Sequence, residues 1–223
     1  MRELFFSLLF LAAACSVFGQ QNTLSKASDS DPAAKALLQK VRTKYEAYKS
    51  VEADFSLTIK IPEQAEEVQK GKLVQQGNQY RLDFTAQSIF FDGVTLWLYL
   101  KSLNEVQITD ADFEAEGMLS PKDLLTIYEK DDYVYALTSR IQEGGRNLQQ
   151  IEFKPLQKDF EYNKLRVSVD INTNEVIKIE AFGKDASRYT LKIDKITSNK
   201  VFPTSYFKFE PKNYPGVYVE DLR

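Results

Sequence analysis

Histidine is absent from the 223 residues, and there is only one cysteine and one tryptophan. Each scarcity closes off a class of chemistry. Without imidazole there is no Ser-His or Cys-His nucleophile and no histidine general base. A single cysteine, Cys15, cannot close an internal disulfide or, with no histidine, build a zinc site of the usual ligands. No apolar run approaches the ~20 residues that a bilayer-spanning helix needs. Charge of one sign is lacking too: 29 Lys and Arg against 32 Asp and Glu leave a net −3. A mildly acidic chain with dispersed cations argues against nucleic acid and against broad adsorption to anionic membranes. It leaves room for a basic patch on one face.

The first residues read as a targeting segment. Arg2 precedes a short apolar stretch, Leu4 to Ala14, and Val17-Phe18-Gly19 offers small-residue cleavage positions before Gln20. The expectation is a signal peptide over 1–19, export from the cytoplasm, and a mature chain without cysteine or histidine. A second processing route stays open. Ala13-Ala14-Cys15 loosely resembles a lipoprotein site, with Ala12 where leucine is usual and Leu11 one step early. Removing Arg2 and Glu3 leaves the charge balance unchanged. The remaining ~200 residues suffice for one substantial core.

Residues 20–31 are polar and read as a flexible leader. Asp31-Pro32 opens a helix, with Asp as cap and Pro at the first helical position. Ala34, Leu37, Leu38, Val41, Tyr45 and Tyr48 form its apolar stripe, continuous to Lys49. From Val51 the period becomes two: Ala53, Phe55, Leu57, Ile59 and Ile61 alternate with polar residues. Further strands are expected at Val68–Gln75, Gln79–Thr85, Ser88–Phe91, Thr95–Leu100 and Glu105–Thr109. Others follow near Tyr133–Ile141, Leu148–Lys154, Lys164–Ile171, Val176–Phe182, Tyr189–Ile196 and Ser205–Phe209. Asp92-Gly93, between two apolar runs, marks a hairpin turn. About eleven strands joined by short turns suit a large antiparallel sheet, which curls or closes rather than lying flat. Ser120-Pro121-Lys122-Asp123 adds a capping-box pattern, with Leu124, Leu125, Ile127 and Tyr128 behind it. Two amphipathic helices need a surface, and the economical arrangement lays both across the concave side of the sheet.

No catalytic residue emerges. Asp110, Asp112, Glu114 and Glu116 alternate before Gly117, but the glycine and bidentate glutamate of a calcium loop are replaced by Ala115 and Pro121. Asp131-Asp132 and Gly144-Gly145-Arg146 read as turns. No phosphate-binding or dinucleotide motif is present. The expected activity is binding rather than catalysis, with no metal and no cofactor.

Several pieces in one order resemble the periplasmic outer-membrane lipoprotein carrier family, LolA-type. They are Val51-Glu52-Ala53-Asp54-Phe55-Ser56, Gly71-Lys72-Leu73 with Tyr80-Arg81-Leu82, and Asp92-Gly93 with Leu96-Trp97-Leu98-Tyr99. Ser120-Pro121 to Leu125 resembles the lid helix of that family, and Phe207-Lys208-Phe209-Glu210-Pro211 to Gly216-Val217 its closing segment. The resemblance implies a mainly β (α+β) fold, an incomplete, strongly curved antiparallel β-barrel with a helical lid, over one domain at 32–223. It implies a monomeric carrier that takes lipoprotein acyl chains from an inner-membrane ABC-type release complex to the outer membrane, where a receptor could accept them. One departure stands out: Gln76-Gly77 replaces an Arg-Pro pair whose arginine ties lid to barrel, while the more internal Arg81 is retained.

The residues expected to line the cavity are Phe55, Leu57, Ile59, Leu73, Tyr80, Leu82, Phe84, Trp97 and Tyr99. Leu124, Leu125 and Ile127 are expected on the underside of the lid. Where both faces of a strand are apolar, as at Leu96 to Leu100, the inward face is open to either choice. Two other readings remain at this point: an anchored receptor of the same fold if Cys15 is acylated, and an envelope sensing or adaptor domain that binds protein.

Overall fold

The computed structural model describes residues 26–110, 126–158 and 160–223. Cys15, the acidic run after Asp110, and Leu124 and Leu125 lie outside the described residues. One helix, α1 (Pro32–Glu46), precedes the strands; Asp31 caps it by accepting the Ala33 N–H, and Pro32 sits at its first position. The strands before the undescribed stretch are β1 (Val51–Lys60), β2 (Glu67–Gln76), β3 (Gln79–Phe84), β4 (Gln87–Phe91), β5 (Thr95–Leu100) and β6 (Glu105–Asp110). After it come β7 (Tyr133–Glu143), β8 (Arg146–Pro155), β9 (Tyr162–Asp170), β10 (Glu175–Gly183), β11 (Arg188–Ser198) and β12 (Tyr218–Asp221).

All twelve join one sheet in the order β12-β6-β5-β4-β3-β2-β1-β11-β10-β9-β8-β7. Its ends, β12 and β7, do not pair with each other, so the barrel is incomplete. The sheet is antiparallel except where β12 runs parallel to β6. Two expectations are corrected. Ser205–Phe209 is not a strand: Thr204–Phe207 forms a 3-10 turn within a segment that crosses the sheet. The twelfth strand lies further on, at Tyr218–Asp221, too short to show a period of two. The helix also stops at Glu46, before Lys49, with the Ala47 and Tyr48 amides closing on Thr43 and Tyr45.

The face that carries α1 is the inner one, and the register assigns every strand residue to one face, because directly opposed residues share a side. One inner row runs Leu57–Leu191–Ile179–Val167–Ile151–Leu137, crossing from β1 to β7. Helix α1 roofs its far end: Ala34, Leu38 and Val41 pack with Tyr135, Ile151 and Phe153, while Leu137 and Val167 lie against the same cluster. Ser30 and Asp31 fasten this roof by bonding along the free edge of β7. The Asp31 N–H donates to the Tyr135 carbonyl at 2.8 Å, and the Leu137 N–H donates to the Asp31 carboxylate at 3.2 Å. Residues 27–31, expected within a leader, are therefore part of the fold.

The outer face of β3–β6 is also apolar, and the chain covers it separately. Residues 202–217 run across it as a strap. Phe207 is fully buried, and Phe209 packs with Phe90 and Val106. The strap is tied at three places. The Gln76 side chain exchanges hydrogen bonds with both backbone groups of Phe202, each 3.2 Å. Lys208 pairs with Asp92 at 3.1 Å. Asn104 donates to the Pro215 carbonyl at 3.2 Å and accepts the Tyr99 hydroxyl at 3.0 Å.

Phe207→Ala is expected to cost about 3–5 kcal/mol, the range for deleting a fully buried phenylalanine. Val201→Ala, at a position 93% exposed, should stay within about 0.5 kcal/mol. Urea unfolding of the two variants checks the contrast.

Candidate functional site

Beyond α1, the inner face continues across β1 to β5 without a cover among the described residues. Its central row is apolar. Ala53, Leu73, Leu82, Ile89 and Leu98 oppose one another from β1 to β5. Tyr80, Phe91 and Leu96 form a cluster alongside, with Leu73 and Ile89 against it. Leu57, Ile59, Leu73, Leu82 and Phe84 are all partly exposed. An aliphatic row roofed at one end by a helix and left partly exposed at the other is the signature of this face.

Seven of the nine expected lining residues share it: Phe55, Leu57, Ile59, Leu73, Tyr80, Leu82 and Phe84. The register places Trp97 and Tyr99 on the opposite side. Trp97 opposes Phe90, and both carry the outer-face cluster with Val106 and Phe209. Tyr99 stands 4.7 Å from the Tyr214 ring and 5.3 Å from Phe209, under the strap. Leu96 and Leu98 take the inner positions instead. Hydrophobicity could not separate the two sets, because both faces of β5 are apolar. Sequence reasoning also missed Ile89, Phe91, Leu191 and Ile193. The opposition of Leu191 to Leu57 and of Ile193 to Phe55 emerges only from the pairing of β1 with β11. Ile127, expected under a lid, is buried in the α1 cluster.

Gly71 sets the shape of the floor. The Phe55 ring lies over it, so close that a Cβ at position 71 would stand 2.3 Å from the ring edge. Phe84 meets the same ring edge-on at 5.4 Å. The glycine lets an aromatic side chain lie down on the sheet instead of standing into the space above it.

The Asp92-Gly93 hairpin joins the two covered halves of β4 and β5. Gly93 has φ of 102°, and the Asp92 carboxylate accepts the Val94 and Thr95 N–H groups at 3.1 and 3.0 Å. Partial burial alone would raise the Asp92 carboxyl. The Thr95 N–H, the Lys208 ammonium and the Val94 N–H outweigh it and hold the group below its usual value. Arg81, retained from the expected pattern, pairs with Asp83 at 2.8 Å and lies between the Phe90 and Tyr206 rings. It therefore works on the outer face beneath the strap. So does Gln76, at the position of the expected lid arginine, through its grip on Phe202.

The described residues contain no group of three Asp, Glu, Cys or His placed to hold a metal ion. Among them, no helix is long and apolar enough to cross a membrane. The result is an open antiparallel barrel wall with one apolar face partly roofed by a helix. The chain belongs to the outer membrane lipoprotein carrier protein LolA family, whose model matches residues 46–210. It is similar to an uncharacterized protein of Methanocaldococcus jannaschii, 28% identical over 178 residues, and spans 50% of that relative's length and 78% of its own. A conserved protein from Thermus thermophilus has a similar structure, with a TM-score of 0.58 at 10% identity, covering 85% of this chain and 99% of that one. A LolA superfamily protein from Nitrosomonas europaea aligns at a TM-score of 0.43 and 14% identity, covering 79% of this chain and 97% of that one.

Gly71→Ala is expected to lift the Phe55 ring and cost about 1–3 kcal/mol. Adding Phe55→Leu should recover part of that loss, and a double-mutant cycle in urea measures the coupling. Acid stability gives a second check. An unfolded aspartate titrates near about pH 4, so a lowered Asp92 stabilises fully above that value and loses its contribution as pH falls through the folded value. Wild type should therefore lose more stability than Asp92→Asn between neutral pH and about pH 3.

Proposed function

We propose that this protein carries lipoprotein acyl chains across the periplasm on the open half of its inner face. The single observation behind this reading is the aliphatic row from Leu57 to Leu137, roofed by α1 toward β7–β10 and uncovered by described residues at β1 and β11. A core that needed only stability would be covered along its whole length. Family membership supports the same reading, since the matching family is named for lipoprotein carriage.

The energetics suit a carrier. Each buried methylene contributes about 0.8 kcal/mol, so one long acyl chain gains roughly 10 kcal/mol on leaving water. The lining has to supply most of that and still release the chain. Leu57, Leu73, Leu82 and Leu98 make dispersion contacts without hydrogen bonds that would have to break. Glu67, opposite Ile59, brings a carboxylate to the edge of this floor, while Arg81 and Asp83 lie on the outer face. Loading by an inner-membrane ABC-type complex and delivery to the outer membrane follow from the family's task.

Mass spectrometry of an organic extract from gently purified mature protein should find diacyl or triacyl lipid in near-equimolar amount. Leu57→Glu or Leu82→Glu should reduce uptake of a fluorescent fatty acid about tenfold or more, because a carboxylate enters the apolar floor. Trp97→Ala, on the other face, should leave uptake within about twofold when folded. A lipid-free extract together with no fatty-acid uptake by wild type would sink the carrier reading.

A further inference from the structure

The outer face of β8–β11 and β1 has a character that the carrier reading does not use. Cations gather there in a chain whose net charge is −3. The register sets Lys178 directly opposite Lys192, and Lys192 is opposite Ser56, which opposes Lys70. Like charges facing each other across strands cost stability. Lys178 is relieved by Glu143 at 2.7 Å. No carboxylate of the described residues lies within ion-pair distance of Lys192 or Lys70. In the next row Lys195 faces Asp54, but that carboxylate is taken by Lys72 at 2.9 Å.

A second group of cations converges on one ring. Lys164, Arg188 and Arg166 stand 4.4, 4.7 and 5.1 Å from the centre of Phe182. Two carboxylates answer them. Glu152 takes Arg166 at 2.7 Å and Lys164 at 3.3 Å, and Glu180 lies 3.6 Å from Arg166. Arg188 is left exposed over the ring. Asp194, the extra residue where β11 bulges, Glu52, held by Lys200 at 2.8 Å, and Asp170 and Glu175, opposed at the far end of β9 and β10, are the other acids near this face. The surface as a whole carries an excess of positive charge.

At the β7 end of the same surface lies a cavity of about 390 Å³. Its floor is apolar, from Val134, 1% exposed, and Ala136, while Lys154, Lys164 and Glu152 stand at its rim. A recess with an apolar floor beside a lysine-rich strip is the arrangement that holds an acidic chain by its charge and one of its side chains by burial. A lipid surface would use the cations but not the recess. It would also hold the inner face away from the bilayer.

We propose that this outer face, on the side of the sheet opposite the inner lining, is a docking site for an acidic polypeptide segment of a partner protein, with one aromatic or aliphatic side chain seated between Val134 and Lys164. The segment lies along the Lys154–Lys164–Arg188 row and the neighbouring Lys192. The site stands independently of what the inner face carries, so cargo and partner engage opposite sides of one sheet.

The test is fluorescence anisotropy with a fluorescein-labelled dodecapeptide of Asp, Glu and Gly containing a single central Phe, and its Gly-centred counterpart. The Phe peptide should bind the full mature chain at low salt and lose affinity steeply as salt rises, since exposed charges are screened. It should bind about fivefold more tightly than the Gly peptide. Lys192→Glu with Arg188→Glu should weaken both peptides about tenfold or more. Ala136→Leu should erase only the difference between them, and Lys154→Gln gives a second variant at the rim if the leucine disturbs the strand. Fatty-acid uptake, measured on the same samples, should stay at the wild-type level in all variants, which separates this proposal from the carrier reading. Equal binding by wild type and the charge-reversed protein would overturn it. So would binding to phosphatidylglycerol vesicles with none to either peptide.

Discussion

A β-sheet has two faces, and the rest of this structure follows from how few elements are available to cover them. Twelve strands in one open sheet present far more surface than one fifteen-residue helix can hide. The chain answers diagonally. Helix α1 covers the inner face at β7–β10, and the strap of residues 202–217 covers the outer face at β3–β6. The two quarters that the described residues leave open differ in chemistry. The inner side of β1–β5 is mostly leucine, isoleucine and aromatic, with Glu67 and Gln69 at its edge, while the outer side of β8–β11 is largely lysine, arginine and glutamate. One quarter is suited to an apolar ligand and the other to water or an acidic partner.

The same diagonal backs the middle of the sheet from outside. Strands β3 to β5 are held from outside by aromatic packing, with Phe209 stacked on Tyr214 at 4.3 Å and Phe90 edge-on to Phe209 at 5.6 Å. Aromatic pairs of this kind add about 0.5–1.5 kcal/mol beyond the area they bury. An inner face without a cover among the described residues gains its support from behind. Gln76 and Arg81 both serve this backing. Their neighbours on the strap, Phe202 and Tyr206, lie far along the chain, with 126 positions between Gln76 and Phe202. The tie that the family resemblance leads one to seek between lid and barrel is thus found between barrel and strap.

Much of the fold was legible in the order of residues. The change of period at Val51, the Asp31-Pro32 cap and the Asp92-Gly93 turn each report a local backbone preference, and local preferences survive in any context that does not override them. The family resemblance added the open barrel. The inward side was legible where one face of a strand is polar, as in β1, where Phe55, Leu57 and Ile59 alternate with Asp54, Ser56 and Thr58. It was not legible in β5, where Leu96, Trp97, Leu98, Tyr99 and Leu100 are apolar on both sides. Alternation is the only signal that identifies a face, and here there was none to read.

By itself the sequence determined the number and kind of most elements, the absence of histidine chemistry, and which strands have one greasy side. These are properties of short stretches, set by side-chain period and turn propensity. Tertiary structure decided which greasy side looks where. Trp97 turned outward because residues 202–217 return to cover it, and Leu57 stayed partly open because α1 stops short of it. Lysines dispersed along β2, β9, β10 and β11 became one surface only when the register set them side by side. Burial and charge density are sums over chain segments far apart in order, so neither exists until the sheet is assembled.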